Sequence, residues 1–463
     1  MNNTVAPELA TALERLRGHF HSGATRSLGS RKKALKALRS SIVAHEEEFL
    51  AAMHADMRKP RFEAYLSDIG LLLGEIDQAL EHLEAWAAPR HIATPLALQV
   101  AESVVLREPL GVVLIVAPWN YPVLLLLSPL VGALAAGNCA VLKPSGEVPH
   151  TTAVISRIIA EVFDPGHVLV VSGSGATVVP ALMASFRFDH VFFTGSAAVG
   201  RSILALAAPG LVPATLELGG KSPAIVDRRV DVKVAARRIA WSKYFNAGQT
   251  CIATDHALVH SSVLDEFLDH FARTVRKAYG DDPQQSPHLA RLVNDRRFDM
   301  VRQYLTQGRL VLGGALDPAD RYIAPAVLTD VSLDSPVMRE EIFGPVLPVI
   351  PWSELEEVLA IVQRNPHPLA TYIFSSSRST QRFFRDRIAF GGGCINHCLL
   401  QFGPPDMPFG GVGASGMGRY HGRYTFELFS HAKGIVHAST LIDHGLQEPP
   451  YTPFKERVLR RVL

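Results

Sequence analysis

Short runs of β-branched and aliphatic residues alternate with longer, helix-like segments over the stretch that begins at Val104. The runs with the length of buried strands are 112–116, 140–142, 168–171, 191–193 and 224–226. The helical candidates between them lie around 123–136, 150–162, 176–184 and 199–207. Because strands that alternate with helices form parallel sheets, this pattern predicts a doubly wound α/β fold. Ligands of such folds bind at the carboxyl ends of the strands.

The regions on either side of this stretch complete the predicted fold. The first ninety residues carry apolar side chains at helical spacing, with a break at Pro60 and an end at Pro89. A second α/β unit follows Gly219, with helices near 231–245 and 264–279 and strands near 346–350 and 388–395. The segment 402–422 is rich in glycine and proline and is predicted to be irregular, and the last ten residues predict a short basic helix.

Composition excludes several classes of partner. The chain has 463 residues, enough for about two to four domains. Its 46 Lys and Arg residues face 44 Asp and Glu residues, a net charge of +2, so no global field attracts nucleic acid. Its four cysteines lack zinc-site spacing, and we expect them to be reduced thiols. The N-terminus shows no signal-peptide pattern, which favours a cytoplasmic protein.

One uncharged stretch, 109–142, has the length of a membrane span. It contains Pro118, Pro122 and Pro129 together with two asparagines. A single membrane helix satisfies its backbone polar groups poorly around so many breaks. A buried strand, a loop, a helix and a second strand fit the same residues better, so we expect no membrane span.

Three segments carry residues suited to carbonyl chemistry. Cys251 ends the turn-forming run NAGQTC, Glu217 precedes paired glycines in ELGGKSP, and Asn120 lies between prolines in APWNYP. Each residue also has a structural interpretation: an inert buried cysteine, a salt-bridge partner, and an asparagine that hydrogen-bonds its own backbone. Together, a thiol, a carboxylate base and an amide donor are parts that the oxidation of a carbonyl requires.

A dinucleotide site needs a turn that binds phosphate, and the chain lacks the G-x-G-x-x-G pattern. In FFTGSAAVGR (192–201), Gly195 and Ser196 lie where a strand passes into a helix. This geometry serves phosphate binding and simple packing equally well. Lys143 follows another strand end in VLKPSG, where a lysine either reaches a ribose or phosphate or is only solvated.

Taken together, these motifs resemble the aldehyde dehydrogenase superfamily over nearly the whole chain. The matching segments, in chain order, are PLGVVLIVAPWNYP, GNCAVLKPSG, FTGSAAVGR, ELGGKSP, NAGQTC, EEIFGPVLP and PFGGVGASGMG. The joint occurrence of ELGGKSP and the Cys251 segment is highly specific. Tyr121 and the ending PFGGVGASGMGRYHGRYTFELFSH are similar to the class 3 branch, which includes fatty, aromatic and bacterial coniferyl aldehyde dehydrogenases.

The resemblance implies an NAD(P)-dependent enzyme that oxidises aldehydes to carboxylic acids through a thioester. Cys251 is then the nucleophile, and Glu217 is the general base that activates water for hydrolysis. Asn120 supplies an oxyanion donor together with the backbone N–H of Cys251. The cofactor, NAD or NADP, is expected to bind at Trp119, Lys143, Ser145, Gly195, Ser196, Gly200, Leu218, Glu341 and Phe343. No metal is implied.

The resemblance also implies a Rossmann-like cofactor domain, an α/β catalytic domain and a small β oligomerisation arm. The expected bounds are 1–90 and 111–217 for the cofactor domain, 218–395 for the catalytic domain, and 91–110 and 396–463 for the arm and tail. A homodimer is expected of the class 3 branch.

The chain departs from the family pattern at two places. After the tripeptide KPS that starts at Lys143, the family usually has a glutamate that binds ribose hydroxyls, but this chain has Gly146 and then Glu147. Because a carboxylate repels a 2′-phosphate, its loss predicts appreciable use of NADP, unless Glu147 takes the vacant role. After the nucleophile, Thr254 and His256 stand where class 3 members commonly have Pro and Tyr.

The tail loop HCLLQFGPPDM (397–407) bears on the substrate. Leu399, Leu400 and Phe402 predict an apolar tunnel for aromatic aldehydes, such as coniferaldehyde or benzaldehyde, or for medium-chain aliphatic aldehydes. Ordinary packing between domains explains the same residues equally well.

Three alternative functions remain open for a chain with these residues. They are simple ester or thioester hydrolysis, acyl transfer to coenzyme A, and the role of an inactive scaffold homologue. Retention of Glu217 favours water over coenzyme A as the acyl acceptor. The presence of all three catalytic candidates argues against a scaffold.

Overall fold

The computed structural model describes residues 7–98, 100–442 and 445–462. The N-terminal part is helical, as predicted, and consists of α1 (Pro7–His21), α2 (Leu28–Ala44), α3 (Glu46–Met57), α4 (Arg61–Ala64) and α5 (Leu71–Ala87). A π-helical turn, Tyr65–Gly70, joins α4 to α5. Pro60 directly precedes α4, and α5 ends just before Pro89.

Strands and helices then alternate, as the sequence predicts. The elements of this part are β1 (Arg90–Ile92), β2 (Ala101–Pro109), β3 (Val112–Val116), α6 (Leu124–Ala136), β4 (Cys139–Lys143), α7 (Pro149–Val162), β5 (Val168–Val170), α8 (Gly175–Ser185), β6 (His190–Thr194), α9 (Ala197–Ala207) and β7 (Ala214–Glu217).

The second half continues with further strands and helices. Its elements are β8 (Pro223–Val226), α10 (Val232–Tyr244), β9 (His256–His260), α11 (Leu264–Tyr279), α12 (Asp295–Arg302), β10 (Arg309–Leu312), β11 (Leu316–Asp317), β12 (Tyr322–Ile323), β13 (Ala326–Thr329), α13 (Pro336–Arg339), β14 (Val346–Trp352), α14 (Leu355–Gln363), β15 (Ala370–Phe374), α15 (Arg378–Arg387), β16 (Gly392–Ile395), β17 (Gly416–Met417), α16 (Arg423–Leu428), β18 (Ser430–Ala438) and α17 (Pro453–Val462).

The first large sheet has the strand order β17-β7-β6-β3-β4-β5. Strands β3 to β7 are parallel, which confirms the doubly wound arrangement, and β17 pairs antiparallel to β7. The segment 402–422, predicted to be irregular, therefore supplies an edge strand to this sheet. The strand forms because Gly416 and Met417 lie in register with Glu217 and Leu216.

The second large sheet has the order β10-β13-β14-β9-β8-β15-β16, and only β10 runs antiparallel to its neighbour among the described strands. The strand predicted near 388–395 begins only at Gly392. The prediction was too long because the N–H of Ile388 caps α15 through the carbonyl of Phe384, at 3.0 Å. The helices predicted near 231–245 and 264–279 correspond to α10 and α11.

A third, antiparallel sheet has the order β1-β2-β18. It joins nine consecutive residue pairs of β2 and β18, so the region near 101–109 pairs with the C-terminal tail. The predicted arm therefore exists as a sheet. Its role in oligomerisation stays a prediction.

The uncharged stretch 109–142 forms β3, a loop, α6 and β4, as expected for buried rather than membrane-spanning residues. Every residue of α6 is buried within the protein. Among the described residues, no helix is both long enough and apolar enough to cross a membrane. The core around α6 brings the carboxyl ends of β3, β4, β6 and β7 to one edge of the first sheet.

Candidate active site

A cavity at the ends of β6 and β7 contains Cys251 and Glu217. It encloses about 970 Å³ of atom-free space, including its mouth. Its apolar wall includes Leu66, Leu71, Leu124, Leu125, Trp241 and Phe245. Among the described residues that line the cavity, Glu217 is the only acidic or basic side chain. The cavity therefore suits an uncharged, apolar molecule.

The loop before Cys251 has a strained backbone. Asn246 and Ala247 both have a φ of 53°, and Gly248 has a φ of 77°. Residues with side chains rarely adopt such angles, so the surrounding contacts must maintain them. At Gly248 a Cβ atom would lie 2.4 Å from the carbonyl oxygen of Gly344, which requires glycine at this position.

Gln249 fastens this loop to the rest of the protein. Its side-chain amide donates to the carbonyls of Asn246, at 3.1 Å, and Arg291, at 3.0 Å. Its amide oxygen accepts the N–H of Val293 at 3.0 Å. Since the residue is fully buried, each of these bonds is costly to break. The run NAGQTC thus forms the turn that the sequence predicts.

Cys251 occupies the centre of a tight turn. The N–H of Ala253 donates to the carbonyl of Thr250 at 3.0 Å, with Cys251 and Ile252 between them. Burial raises the pKa of the Cys251 thiol to about 12, with smaller contributions from Glu341 and Glu217. The backbone N–H groups of Cys251 and Ile252 face the sulfur and act in the opposite direction. In this state the thiol is neutral at neutral pH.

Asn120 follows β3 and faces the nucleophile loop. Its side-chain Nδ2 donates to the carbonyl of Gln249 at 3.0 Å. Its own carbonyl accepts hydrogen bonds from Asn246, at 3.0 Å, and from Lys59, at 3.2 Å. The interpretation as an asparagine bonded only to its own backbone is therefore wrong, because these bonds connect distant parts of the chain. The side-chain oxygen of Asn120 is buried without a hydrogen-bond partner among the described residues.

A buried ion pair includes Lys59, which bonds the backbone carbonyl of Asn120. Lys59 donates to Asp68 at 2.7 Å, and both side chains are fully buried. Asp68, in the π-helical turn, also accepts the N–H groups of Val123 and Leu124, each at 3.2 Å, and so caps α6. The ammonium of Lys59 lies 4.1 Å from the centre of the Tyr121 ring. π-helical turns are frequent at functional sites, and this one places the Asp68 carboxylate.

Glu217 ends β7 and lines the cavity. Both of its carboxyl oxygens are buried and have no hydrogen-bond partner among the described residues. Burial raises the pKa of Glu217 well above its ordinary value. The salt-bridge interpretation of this residue is wrong, since no cation pairs with it among the described residues. A buried carboxyl of this kind is a strong base once it loses its proton.

Glu341 and Phe343 lie close to the paired glycines that follow Glu217. A Cβ atom at Gly219 would lie 2.2 Å from Oε1 of Glu341, so the glycine lets this carboxyl approach the backbone. Burial raises the pKa of Glu341 to about 7, and Asp255 adds to the shift. Phe343, at a φ of 48°, meets the edge of the Trp119 ring with the ring centres 5.4 Å apart. Trp119 and Phe343, both predicted at the cofactor, are thus neighbours.

Lys143 and Ser145 lie at and just beyond the carboxyl end of β4. Lys143 is buried, its ammonium contacts the carbonyl of Pro144 at 2.5 Å, and burial lowers its pKa. Ser145 accepts the N–H of Glu147 at 3.2 Å. Gly146 is exposed, and a Cβ atom there would meet only the carbonyl oxygen of Gly173, at 3.6 Å. A larger residue at Gly146 is therefore sterically possible.

The carboxylate of Glu147 does not face the position that Gly146 leaves open. It accepts a hydrogen bond from the side chain of Asn294 at 2.6 Å, on the protein surface. Asn294 in turn caps α12 by accepting the N–H of Arg297 at 2.8 Å. The carboxylate of Glu147 is therefore bonded to Asn294, while only its backbone N–H bonds Ser145.

Gly195 and Ser196 connect β6 to α9, and Gly200 lies in the first turn of α9. A Cβ atom at Gly195 would lie 2.5 Å from the Phe193 ring, and one at Gly200 would lie 2.9 Å from the Leu218 side chain. Ser196 caps α9 by accepting the N–H of Val199 at 3.4 Å. The packing interpretation of this turn therefore holds, while phosphate binding stays a prediction.

The same edge has features that fit a dinucleotide. The first turn of α9 is exposed, and helix N-termini attract phosphate. Oγ1 of Thr194 and Oε1 of Glu341 are buried without a hydrogen-bond partner among the described residues. Since buried polar atoms are normally paired, these two are available to a ligand that spans β6 and the Glu341 loop.

The structure thus brings Cys251, Glu217 and Leu218 to one cavity, with Asn120 beside the nucleophile turn. Leu399, Leu400 and Phe402 also line this cavity, where the sequence predicts an apolar tunnel. The sequence gives no local signal for Trp241, Phe245, Leu369, Phe409 and Tyr420, which also line it. They were missed because they come from separate elements that only the fold assembles.

The model of the aldehyde dehydrogenase family matches residues 2–435 of the chain. The chain is 43% identical to the 4,4'-diaponeurosporen-aldehyde dehydrogenase of Staphylococcus aureus over 93% of this chain and 94% of that protein. It is 41% identical to aldehyde dehydrogenase family 3 member B1 of Homo sapiens over 97% and 96% of the two chains.

Solved structures agree with these relatives. A substrate-bound structure of Staphylococcus aureus AldH has a TM-score of 0.95 at 41% identity, covering 98% of this chain and 99% of that chain. An indole-3-acetaldehyde dehydrogenase in complex with NAD+ has a TM-score of 0.85 at 29% identity, covering 94% and 90%. The fold, the motifs and these relatives agree: the chain belongs to the aldehyde dehydrogenase family and has class 3 enzymes among its relatives.

Proposed function

We propose that this protein oxidises uncharged, apolar aldehydes to carboxylic acids with NAD(P)+ through a thioester on Cys251. The observation that carries the proposal is the shared cavity, in which the Cys251 thiol and the unpaired Glu217 carboxyl face an otherwise uncharged wall. Membership of the aldehyde dehydrogenase family supports the reaction class.

In the first step the Cys251 thiol loses its proton to water, and the sulfur attacks the aldehyde carbon as a thiolate. The backbone N–H groups of Cys251 and Ile252 face the sulfur and stabilise its thiolate. The carbonyl oxygen then becomes an oxyanion, and the second N–H of the Asn120 amide is its proposed donor. Such a donor stabilises the transition state by about 3 kcal/mol.

When bound, NAD(P)+ would supply the two-electron oxidant that the conversion of the adduct on the sulfur to a thioester requires. Trp119, Phe343 and Glu341 would contact its nicotinamide half. Lys143, Ser145 and the first turn of α9, with Gly195, Ser196 and Gly200, would contact its adenosine and phosphates, and Leu218 would line the site between them.

Glu217 completes the reaction as a general base. In its ionised form it takes a proton from a water molecule, and the resulting hydroxide attacks the thioester carbon. The acid leaves, and the thiolate of Cys251 is regenerated. Burial favours this role because a carboxyl group with a raised pKa takes up a proton more strongly than an exposed one.

The cavity wall supports a preference among aldehydes. Leucines and aromatic side chains surround the thiol, so a charged aldehyde would lose its hydration without gaining an ion pair. We therefore propose aromatic or medium-chain aliphatic aldehydes, benzaldehyde and coniferaldehyde among them. The name of the Staphylococcus aureus relative refers to an aldehyde, which agrees with the proposed reaction class.

We also propose that NADP is used appreciably beside NAD. Gly146 leaves no carboxylate near Ser145, and Asn294 keeps Glu147 turned away from it. A 2′-phosphate would therefore meet no repulsive charge from these two residues.

Two further expectations accompany this proposal. We propose that two chains form a homodimer through the arm sheet, where β18 is an edge strand, and that the protein acts in the cytoplasm. Light scattering coupled to size exclusion tests the dimer, and its absence at working concentrations would contradict it.

The reaction is tested by following the absorbance of the reduced nicotinamide. Benzaldehyde, coniferaldehyde, hexanal and decanal are each assayed with NAD and with NADP. The wild type should reduce the cofactor, Cys251→Ala should not, and Cys139→Ala, which alters a buried cysteine outside the cavity, should remain active. Activity in Cys251→Ala would refute the proposal. Addition of coenzyme A should leave the acid as the product.

A further inference from the structure

Tyr372, on β15, lies directly behind the nucleophile turn. Its ring is fully buried, and its hydroxyl donates to the carbonyl of Ile252 at 2.5 Å. Ile252 follows Cys251 and occupies the second central position of the turn that Ala253 closes. The hydroxyl of Tyr372 therefore fixes the peptide between Ile252 and Ala253, which is the second peptide after the nucleophile.

Gln401 fixes the direction of that hydrogen bond. Its Nε2 donates to the hydroxyl oxygen of Tyr372 at 3.1 Å, and Gln401 is itself buried. A phenol has one proton to donate. Since Gln401 supplies a donor to the oxygen, the proton of Tyr372 is left to point at Ile252.

Cys394 fixes the orientation of the Gln401 amide in the same way. Its thiol donates to Oε1 of Gln401 at 3.1 Å. Burial raises the pKa of Cys394, so the thiol keeps its proton and acts as the donor. With Oε1 occupied by the thiol, the amide nitrogen faces Tyr372. The result is a chain of three hydrogen bonds that run in one direction, from Cys394 to Ile252.

The chain starts in the wall of the substrate cavity. Gln401 lies between Leu400 and Phe402, and both of these line the cavity. Leu399, also in the wall, has a φ of 65°, which costs about 1 kcal/mol or more for a residue with a side chain and needs support from its surroundings. The tail loop that shapes the cavity is therefore tied to the residue that follows Cys251.

The two sides of the nucleophile turn are fastened differently. On the N-terminal side, Asn120 bonds the carbonyl of Gln249, and Tyr121 bonds the hydroxyl of Thr250. On the C-terminal side, Tyr372 bonds the carbonyl of Ile252, and the N–H of Ala253 in the same peptide bonds the carbonyl of Thr250. The N–H of Ile252, which lowers the pKa of the Cys251 thiol, lies one peptide before this attachment.

We infer that Cys394, Gln401 and Tyr372 are positioning residues: their directed hydrogen bonds hold the carbonyl of Ile252 and, through it, the tight turn that contains Cys251. This inference rests on the proposed role of Cys251 as nucleophile. Loss of a link loosens this turn and lowers the reactivity of the Cys251 thiol. The substrate cavity itself keeps its shape when the links are replaced by side chains of equal size.

The test uses substitutions that remove one link at a time. Tyr372→Phe removes the hydroxyl, and Gln401→Met keeps the length of the side chain without its amide. Cys394→Ala removes the first donor, whereas Cys394→Ser retains one. Tyr244→Phe is the matched control, because Tyr244 is a fully buried tyrosine whose hydroxyl donates to the distant carbonyl of Ala326 at 3.1 Å.

The first measurement is the rate of iodoacetamide alkylation at Cys251, resolved from the other cysteines by peptide mapping. It uses the full chain over a range of pH without aldehyde. We expect Tyr372→Phe and Gln401→Met to slow alkylation at fixed pH about threefold to tenfold, the effect of one hydrogen bond. Cys394→Ala should have a smaller effect, and Cys394→Ser should restore the wild-type rate.

The second measurement separates kcat from KM with hexanal. Tyr372→Phe and Gln401→Met should lower kcat by a factor similar to that for alkylation and leave KM unchanged. The inference is overturned if alkylation and kcat equal those of the wild type, if KM changes instead, or if Tyr244→Phe has the same effect. Because alkylation needs neither aldehyde nor cofactor, it tests this inference separately from the proposed oxidation.

Discussion

The turn around Cys251 and the strand ends proposed for the cofactor belong to the same candidate site. They differ in burial and in the number of side-chain contacts that hold them. The turn is buried, and Gln249, Asn120 and Tyr372 each attach it to a different element. At the strand ends, Gly146 and the first turn of α9 are exposed and make few side-chain contacts. The difference indicates a rigid centre for bond-making beside an adaptable surface for the cofactor.

The largest expected effect on the rigid part is that of Lys59→Met. This change leaves the Asp68 carboxylate buried without its cation, and we expect a loss of about 3–5 kcal/mol in the free energy of unfolding. Denaturant titration measures it. The double variant Lys59→Met with Asp68→Asn should recover part of the loss, because no charge is then buried.

The control for this prediction is a surface pair. Lys32 contacts Glu84 at 2.6 Å on exposed side chains, so Lys32→Met should change stability by less than about 1 kcal/mol. If Lys59→Met lowered the free energy of unfolding as little as Lys32→Met, the turn would not depend on the buried pair. The proposed difference in rigidity between the two regions would then be wrong.

Asn120→Ala tests whether the rigid part acts in catalysis. We expect kcat to fall about a hundredfold to a thousandfold with little change in KM, because the donor acts on charge that develops after binding. Steady-state kinetics with benzaldehyde measures both parameters. Asn365→Ala removes a similar amide, bonded to the carbonyl of Met338, and should keep the wild-type rate. A kcat within a few-fold of wild type in Asn120→Ala would contradict the proposed oxyanion role.

The pH dependence of stability provides a further test of the buried nucleophile loop. Glu63 accepts the N–H of Asn246 at 2.8 Å in the nucleophile loop, and burial raises its pKa to about 7. The folded state therefore binds this proton more tightly than the unfolded state. Its stabilising contribution is fully present below the ordinary pKa, near 4.5, and is lost as the pH rises towards 7.

The variant Glu63→Gln should reduce this fall in stability between pH 4.5 and 7 by about 1–3 kcal/mol. Thermal unfolding over that range measures it. Part of the fall should remain, because burial also raises the pKa of Glu75 to about 7. The substitution Glu14→Gln, at an exposed position, should leave the curve unchanged. An unchanged curve in Glu63→Gln would show that the loop tolerates the ionised carboxylate.

The smallest expected effect lies at the adaptable strand ends. Gly146→Glu places a carboxylate where space is available, and we expect kcat/KM with NADP to fall about tenfold, the equivalent of 1.4 kcal/mol. The value with NAD should change much less. Gly146→Gln, of equal size without charge, is the control. A wild-type efficiency with NADP several hundred times below that with NAD would contradict the cofactor proposal.

Much of the fold follows from local patterns. The strands at 112–116 and 191–193 were predicted because parallel strands are buried on both faces and appear as continuous apolar runs. The strand near 388–395 was drawn too long, because the end of α15 depends on capping by Ile388, which periodicity does not reveal. The edge strand Gly416–Met417 was missed because it is only two residues long and depends on pairing with β7.

The sequence by itself identified Cys251, Glu217 and Asn120 as candidate reactive residues, because the motifs that contain them resemble those of the aldehyde dehydrogenase superfamily. It also identified candidates for the cofactor site, since glycines and a lysine at strand ends are local features. Only the tertiary structure decided that Glu217 lacks an ion-pair partner, that Glu147 turns to Asn294, and that Gln401 reaches Tyr372. The physical reason is that each of these contacts joins elements far apart in the chain, and burial and pairing are properties of their packing together.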